Sequence, residues 1–197
     1  MLCFFCDVVD NTRVSQEHDI LVQLCATYVK IVDSDEFADS EDIQDTVAYG
    51  LGEFAYFLPS DKFGPFLERA AALCKQITKR EEAFNDMNMP STENAMGALA
   101  KLAYKHLDGT HVTQDDLLGV ISMLPFKQDE CEAQTTHRLF LDQLQDSNSI
   151  LNSQSVKQAA LEALNRIREH VQETEGDSSE IKIVRYDYKQ ILMQANL

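Results

Sequence analysis

Two segments of this chain align without a gap: Asp45-Thr-Val-Ala-Tyr-Gly-Leu-Gly-Glu-Phe-Ala-Tyr56 and Glu93-Asn-Ala-Met-Gly-Ala-Leu-Ala-Lys-Leu-Ala-Tyr104, at an offset of 48 residues. Val47 matches Ala95, Leu51 matches Leu99, Phe54 matches Leu102 and Ala55 matches Ala103, so each segment carries one apolar stripe at helical spacing with small residues beside it. A period of this size is close to the roughly 40–47 residues of two-helix repeat units, which cannot bury their apolar faces alone and must stack. Gly50, Gly52, Ala98 and Ala100 are small enough to let neighbouring helices approach closely. A glycine costs about 1 kcal/mol against alanine inside a helix, so two within one turn point to a packing requirement.

Hydrophobic spacing reads as helix nearly throughout, which predicts an all-α chain built from antiparallel helix pairs. Helices are expected at about 1–11, 16–33, 40–58, 61–79, 92–106, 113–124, 129–146 and 153–173. Ser40, Ser60, Ser91, Thr113 and Ser153 are candidate N-caps, and Thr113 with Asp116 resembles a capping box. Glu81 to Pro90 reads as a polar loop. Residues 1–173 are expected to form the stack, 174–180 a linker containing Gly176, and 181–197 a tail with one last helix.

Gly at 7 and Pro at 4 are too few for a turn-rich β architecture. The 33 acids against 17 bases give a net charge of −16, unevenly spread: residues 1–61 hold 13 acids and 2 bases. Such a field repels phosphate backbones and anionic lipid, so nucleic acid and membrane surfaces are poor partners and basic proteins are good ones. No apolar run approaches the roughly 20 residues needed to cross a bilayer. The opening Met1-Leu-Cys-Phe-Phe-Cys6 lacks a basic leader and is followed by Asp7 and Asp10, unlike a signal peptide. The five cysteines (Cys3, Cys6, Cys25, Cys74, Cys131) suit reduced core thiols and predict a cytoplasmic or nuclear chain without disulfides.

No constellation for catalysis stands out. Cys3-x-x-Cys6 has no second pair to complete a zinc site, and the histidines at 18, 106, 111, 137 and 170 are scattered. Phosphate-loop, nucleophile-elbow and dinucleotide motifs are missing from the sequence. The expectation is a binding protein, not an enzyme, with no metal and no cofactor.

Ile43-Gln-Asp-Thr-Val-Ala-Tyr-Gly-Leu-Gly52 resembles the second (B) helix of a HEAT repeat, in which an apolar residue and an arginine precede small residues and a Leu-Gly. Gln44 stands where the arginine often sits, so the usual Asp-Arg ladder lacks its arginine here. Met1 to Asp10, Ser91-Thr-Glu-Asn-Ala95 with the following helix, and Leu117 to Glu132 with Leu124-Pro125 resemble, in the same order, the C-terminal HEAT repeats of the importin-β (karyopherin-β) nuclear transport receptors, closest to the importin-5 (importin beta-3) type. Family members are much longer. The resemblance therefore implies a fragment, a truncated product or a reduced relative, without the N-terminal repeats where the family binds the GTPase Ran most strongly.

On the helix over 40–58, Ile43, Val47, Leu51, Phe54 and Leu58 form the stripe expected to be buried. Rotation by about 100° per residue puts Asp42, Asp45, Tyr49, Gly52 and Tyr56 on the other side, with Glu53 at its edge. The offset of 48 adds Glu93, Gly97, Ala100 and Tyr104. In HEAT solenoids the B helices line the concave surface, so the resemblance implies that Asp42, Asp45, Tyr49, Glu53, Tyr56, Glu93 and Tyr104 face a wrapped partner. Rings beside carboxylates suit basic, partly apolar segments; the alternative is that both tyrosines cover neighbouring helices while the acids are merely solvated. The implied partners are basic cargo of ribosomal-protein or histone type, with nucleoporin repeats as a further class and Ran weak or absent. The alternative is a HEAT scaffold for protein assembly outside nuclear transport.

Overall fold

In the computed structural model, residues 18–35 and 40–173 are described, and all regular structure among them is helical. The α-helices are α1 (His18–Val32), α2 (Glu41–Phe57), α3 (Ser60–Thr78), α4 (Met89–His106), α5 (Gln114–Met123), α6 (Glu130–Gln145) and α7 (Lys157–Glu173), with a 3₁₀ turn at Ile150–Asn152. The expected helix at 1–11, the Cys3/Cys6 pair, the linker at 174–180 and the tail at 181–197 lie outside the described residues. The chain divides into two compact units, Met1–Leu117 and Leu118–Leu197. The boundary falls within the stretch that the sequence reads as one stack.

In the first unit, α2 and α3 form a hairpin turned at Leu58 and Pro59, and the Arg80 guanidinium, just beyond α3, reaches back to Asp45 near the start of α2. Ser60 at the start of α3 donates to the Lys105 carbonyl at the end of α4, so these two also run antiparallel. Ion pairs Lys62–Asp19 and Arg69–Asp33 advance together along α3 and α1, which makes those helices parallel. Gly52 against Ala98 and Tyr56 against Lys105 show the same for α2 and α4. Alternate helices are thus parallel and consecutive ones antiparallel, the arrangement of a helical-repeat fold. Its core includes Leu21, Tyr28, Leu51, Phe54, Phe63 and Leu73, with Tyr28 edge-on to Phe54 at 5.1 Å between centroids. Burying a side chain of this size contributes roughly 1.5–3 kcal/mol.

The second unit holds the end of α5, α6, the 3₁₀ turn and α7. The turn packs on both α6 and α7. Asn152 ties it to the C-terminus of α6 by donating to the Leu144 and Asp146 carbonyls, which satisfies groups that the helix itself leaves open. Arg166 on α7 does the same for α5, donating to the carbonyls of Ile121 and Leu124 at 2.7 and 2.8 Å. Phe126, Phe140, Leu151, Val156 and Ile167 are buried here.

The capping box forms as expected: Asp116 accepts from the Thr113 backbone N–H at 2.8 Å, and the Thr113 hydroxyl accepts from the Asp116 N–H at 3.3 Å. Of the other four expected caps, one is found in its position and three are corrected. Ser40 occupies the N-cap position of α2, but its hydroxyl makes no cap bond. Pro59 precedes α3, and the Ser60 hydroxyl is turned to α4 instead. Asn88 precedes α4, which starts before Ser91 because Pro90 sits in the first turn, where its missing N–H costs nothing. Ser153 closes the 3₁₀ turn, and this delays α7 to Lys157.

Candidate protein-binding surface

The seven candidate residues belong to α2 and α4, and the closeness of these helices decides what each residue can do. A Cβ placed on Gly52 would lie 2.6 Å from the Ala98 Cβ and 2.8 Å from its Cα, so only glycine permits this approach. Gly52 and Ala98, two of the four small residues that the sequence marks for close packing, therefore form the seam between the repeat-equivalent helices. That seam occupies part of the face expected to be open.

Glu53 is 4% exposed and bonds Lys101, itself 1% exposed. It is not a surface carboxylate, because α4 covers the edge of α2 on which it lies. The Lys101 ammonium also stands 5.4 Å from the centre of the Tyr49 ring, which leaves Tyr49 half-buried under a cation from its own chain. Glu93 is buried as well. Tyr104 is half-buried with its hydroxyl fully enclosed and without a hydrogen-bond partner, and burial pushes its pKa upward.

Asp45 is partly buried and is engaged by Arg80 at 2.8 Å. The second guanidinium nitrogen of Arg80 donates to Gln44 Oε1 at 3.1 Å. An arginine from the end of α3 thus meets the Gln-Asp pair of α2, where the resemblance leaves an arginine missing. Asp42 is exposed in the first turn of α2 beside Glu41, where negative charge is favoured by the helix dipole. Tyr56 is 39% exposed, edge-on to Phe57, with the Lys105 ammonium 5.0 Å from its ring centre.

The face is therefore divided. Asp42 and Tyr56 remain open, separated by 14 residues or about 21 Å of helix, while Glu53 and Glu93 are enclosed. Ile43, expected in the buried stripe, is only half-buried, whereas Val47, Leu51, Phe54 and Leu58 are buried.

Sequence reasoning passed over Lys101, although the repeat alignment sets it opposite Glu53 and so contains the charge complement. It also passed over His106, whose Nε2 donates to the Ala55 carbonyl at 2.7 Å while the ring stacks on Phe63 at 4.8 Å; burial holds its pKa below the usual value. Cys25 and Cys74 are buried free thiols pushed up to about 12 by desolvation, and Cys131 is exposed. Among the described residues no group of three His, Cys, Asp or Glu side chains could hold a metal ion, and no helix is long and apolar enough to cross a membrane. No family model, curated protein or solved structure matches this chain.

Proposed function

We propose that the chain is a protein-binding segment of helical-repeat type that takes basic segments of partner proteins, in the manner implied by its resemblance to the C-terminal HEAT repeats of importin-β-like receptors. The observation that carries this reading is the exposed pair of carboxylates Glu41 and Asp42 at the start of α2, in a chain of net charge −16; the Arg80 guanidinium stands 4.0 Å from Glu41 and gives its short bonds to Asp45 and Gln44. Exposed acids at a helix start attract cationic side chains without requiring a pocket. Basic cargo of ribosomal-protein or histone type fits that chemistry.

The burial of Glu53 and Glu93 favours a second reading, a HEAT-type scaffold for protein assembly outside nuclear transport, since these two acids serve the stack and not a ligand. The two readings separate in one titration. A basic nuclear-localisation peptide should bind with affinity that falls as salt rises, because exposed charges are screened beyond about 8 Å at physiological ionic strength. Replacing Glu41 and Asp42 by lysine should weaken binding at least several-fold in a chain of unchanged helix content. Unaltered affinity in the folded double variant would favour the scaffold.

A further inference from the structure

The connection from α3 to α4, read from sequence as a polar loop, bonds several of its polar groups to one another and to the start of α4. The Ala83 carbonyl accepts from the Thr92 hydroxyl, and the Ala83 side chain is buried. Asn85 Oδ1 accepts from the Asn88 N–H at 2.8 Å, Asn85 Nδ2 donates to Glu82 Oε2 at 3.1 Å, and Asn88 Nδ2 donates to the Glu82 carbonyl at 3.2 Å. Beside its exposed acids, this bonded loop also sends large apolar side chains outward. Phe84 is 52% exposed and Met87 88% exposed, two large side chains within four residues. A single exposed apolar residue is ordinary, but an aromatic and a methionine both exposed on one short hydrogen-bonded connection are the residue types that interfaces favour.

The surroundings select the partner. Glu81, Glu82 and Asp86 are exposed on the same loop, and Arg80 places the loop's start beside the exposed Glu41 and Asp42 by bonding Asp45 at 2.8 Å and standing 4.0 Å from Glu41. Arg80 is consumed in that contact, leaving Lys79 as the exposed base of the stretch. A second copy of this chain, at −16, is repelled by such a rim, and so is nucleic acid.

We propose that Phe84 and Met87 form the apolar part of a docking surface for a partner-protein segment that sets lysine or arginine beside a large apolar residue. The proposal rests on the protein-binding reading above and adds an apolar requirement at a stated loop. The cations meet the carboxylates of Glu81, Glu82 and Asp86, while the apolar residue covers Phe84 and Met87.

The test titrates the full chain with three labelled 12-residue peptides: lysine/arginine with leucine and phenylalanine, lysine/arginine with serine, and glutamate with leucine and phenylalanine. The first should bind at least ten-fold more tightly than the second, and the third should not bind. Phe84→Ser with Met87→Ser should abolish that advantage while leaving the second peptide's affinity and the helix content unchanged. The Met87 methyl resonance should shift on titration, and that of the buried Met96 should not. Equal affinity for the two basic peptides, or an advantage that survives in the double variant, overturns the proposal and leaves the broader reading standing. Binding of neither basic peptide overturns both. Concentration-dependent dimers of the unliganded chain that disappear in the double variant would assign the surface to a second copy and overturn the partner named here.

Discussion

Glu53 and Lys101 occupy equivalent places in the internal repeat, 48 residues apart, and they bond to each other inside the seam between α2 and α4. The sequence symmetry is thus broken at a point where the two copies touch. A buried pair of this kind gains attraction in low dielectric but loses the hydration of both ions. Its partners are therefore worth more to each other than to the fold.

Removing one partner should be severe. Lys101→Met leaves a carboxylate enclosed, and a loss of about 3–5 kcal/mol is expected. Lys101→Met combined with Glu53→Leu should recover most of that loss, because no buried charge is left unpaired. Urea unfolding of the two variants checks this; a double variant as unstable as the single one would show that the pair acts chiefly through its shape.

Two glycines should respond in opposite directions to alanine. At Gly52 the added methyl meets Ala98, and overpacking is expected to cost about 1–3 kcal/mol despite the better helix propensity. Beyond its own turn nothing lies within 4 Å of a Cβ on Gly119, and no proline follows it, so Gly119→Ala in α5 should stabilise by up to about 1 kcal/mol. Thermal midpoints of the two variants measure the contrast.

The enclosed hydroxyl of Tyr104 is a cost without a return, since a buried polar group left unpaired is destabilising. Tyr104→Phe is expected to be neutral or to stabilise the fold by about 1 kcal/mol. Denaturant midpoints decide it, and a clear loss would reveal a partner acquired in solution.

In the second unit, His137 Nε2 accepts the Phe126 N–H at 3.0 Å, which only a neutral ring can do, and burial followed by the nearby His170 charge lowers its pKa from 6.5 to about 3. The unfolded chain takes up this proton as pH falls through 6.5, whereas the folded chain refuses it until about 3. Stability from this residue is therefore complete above neutrality and is lost progressively between those values. At pH 5 the loss should be about 2 kcal/mol. His137→Gln should be less stable at pH 7.5 and should show a smaller drop between pH 7.5 and 5 in urea titrations.

The helices were legible because their apolar spacing is regular, and His18–Val32, Glu41–Phe57 and Ser60–Thr78 fall within about two residues of the expected ranges. Capping was less legible. A serine hydroxyl can turn to whichever acceptor the tertiary fold offers, as Ser60 turns to the Lys105 carbonyl, whereas Thr113 and Asp116 satisfy each other locally. The candidate face was half legible for a geometric reason. Helical rotation separates the sides of α2 but does not reveal that α4 lies on one of them, and Glu53 changes from surface acid to seam residue on that account. Phe84 and Met87 were hidden by a composition that reads as polar, since which loop groups face inward depends on hydrogen bonds that no periodicity encodes.

The complementarity of Glu53 and Lys101 also gives the seam a grammar. Two copies of one unit stacked in this register would set carboxylate against carboxylate, or ammonium against ammonium, in a dry interface. Only an unlike pair closes it, so the order of the helices is written into the contact, and a stray helix from another molecule that lacks the matching charge is refused at the place where the backbones come closest.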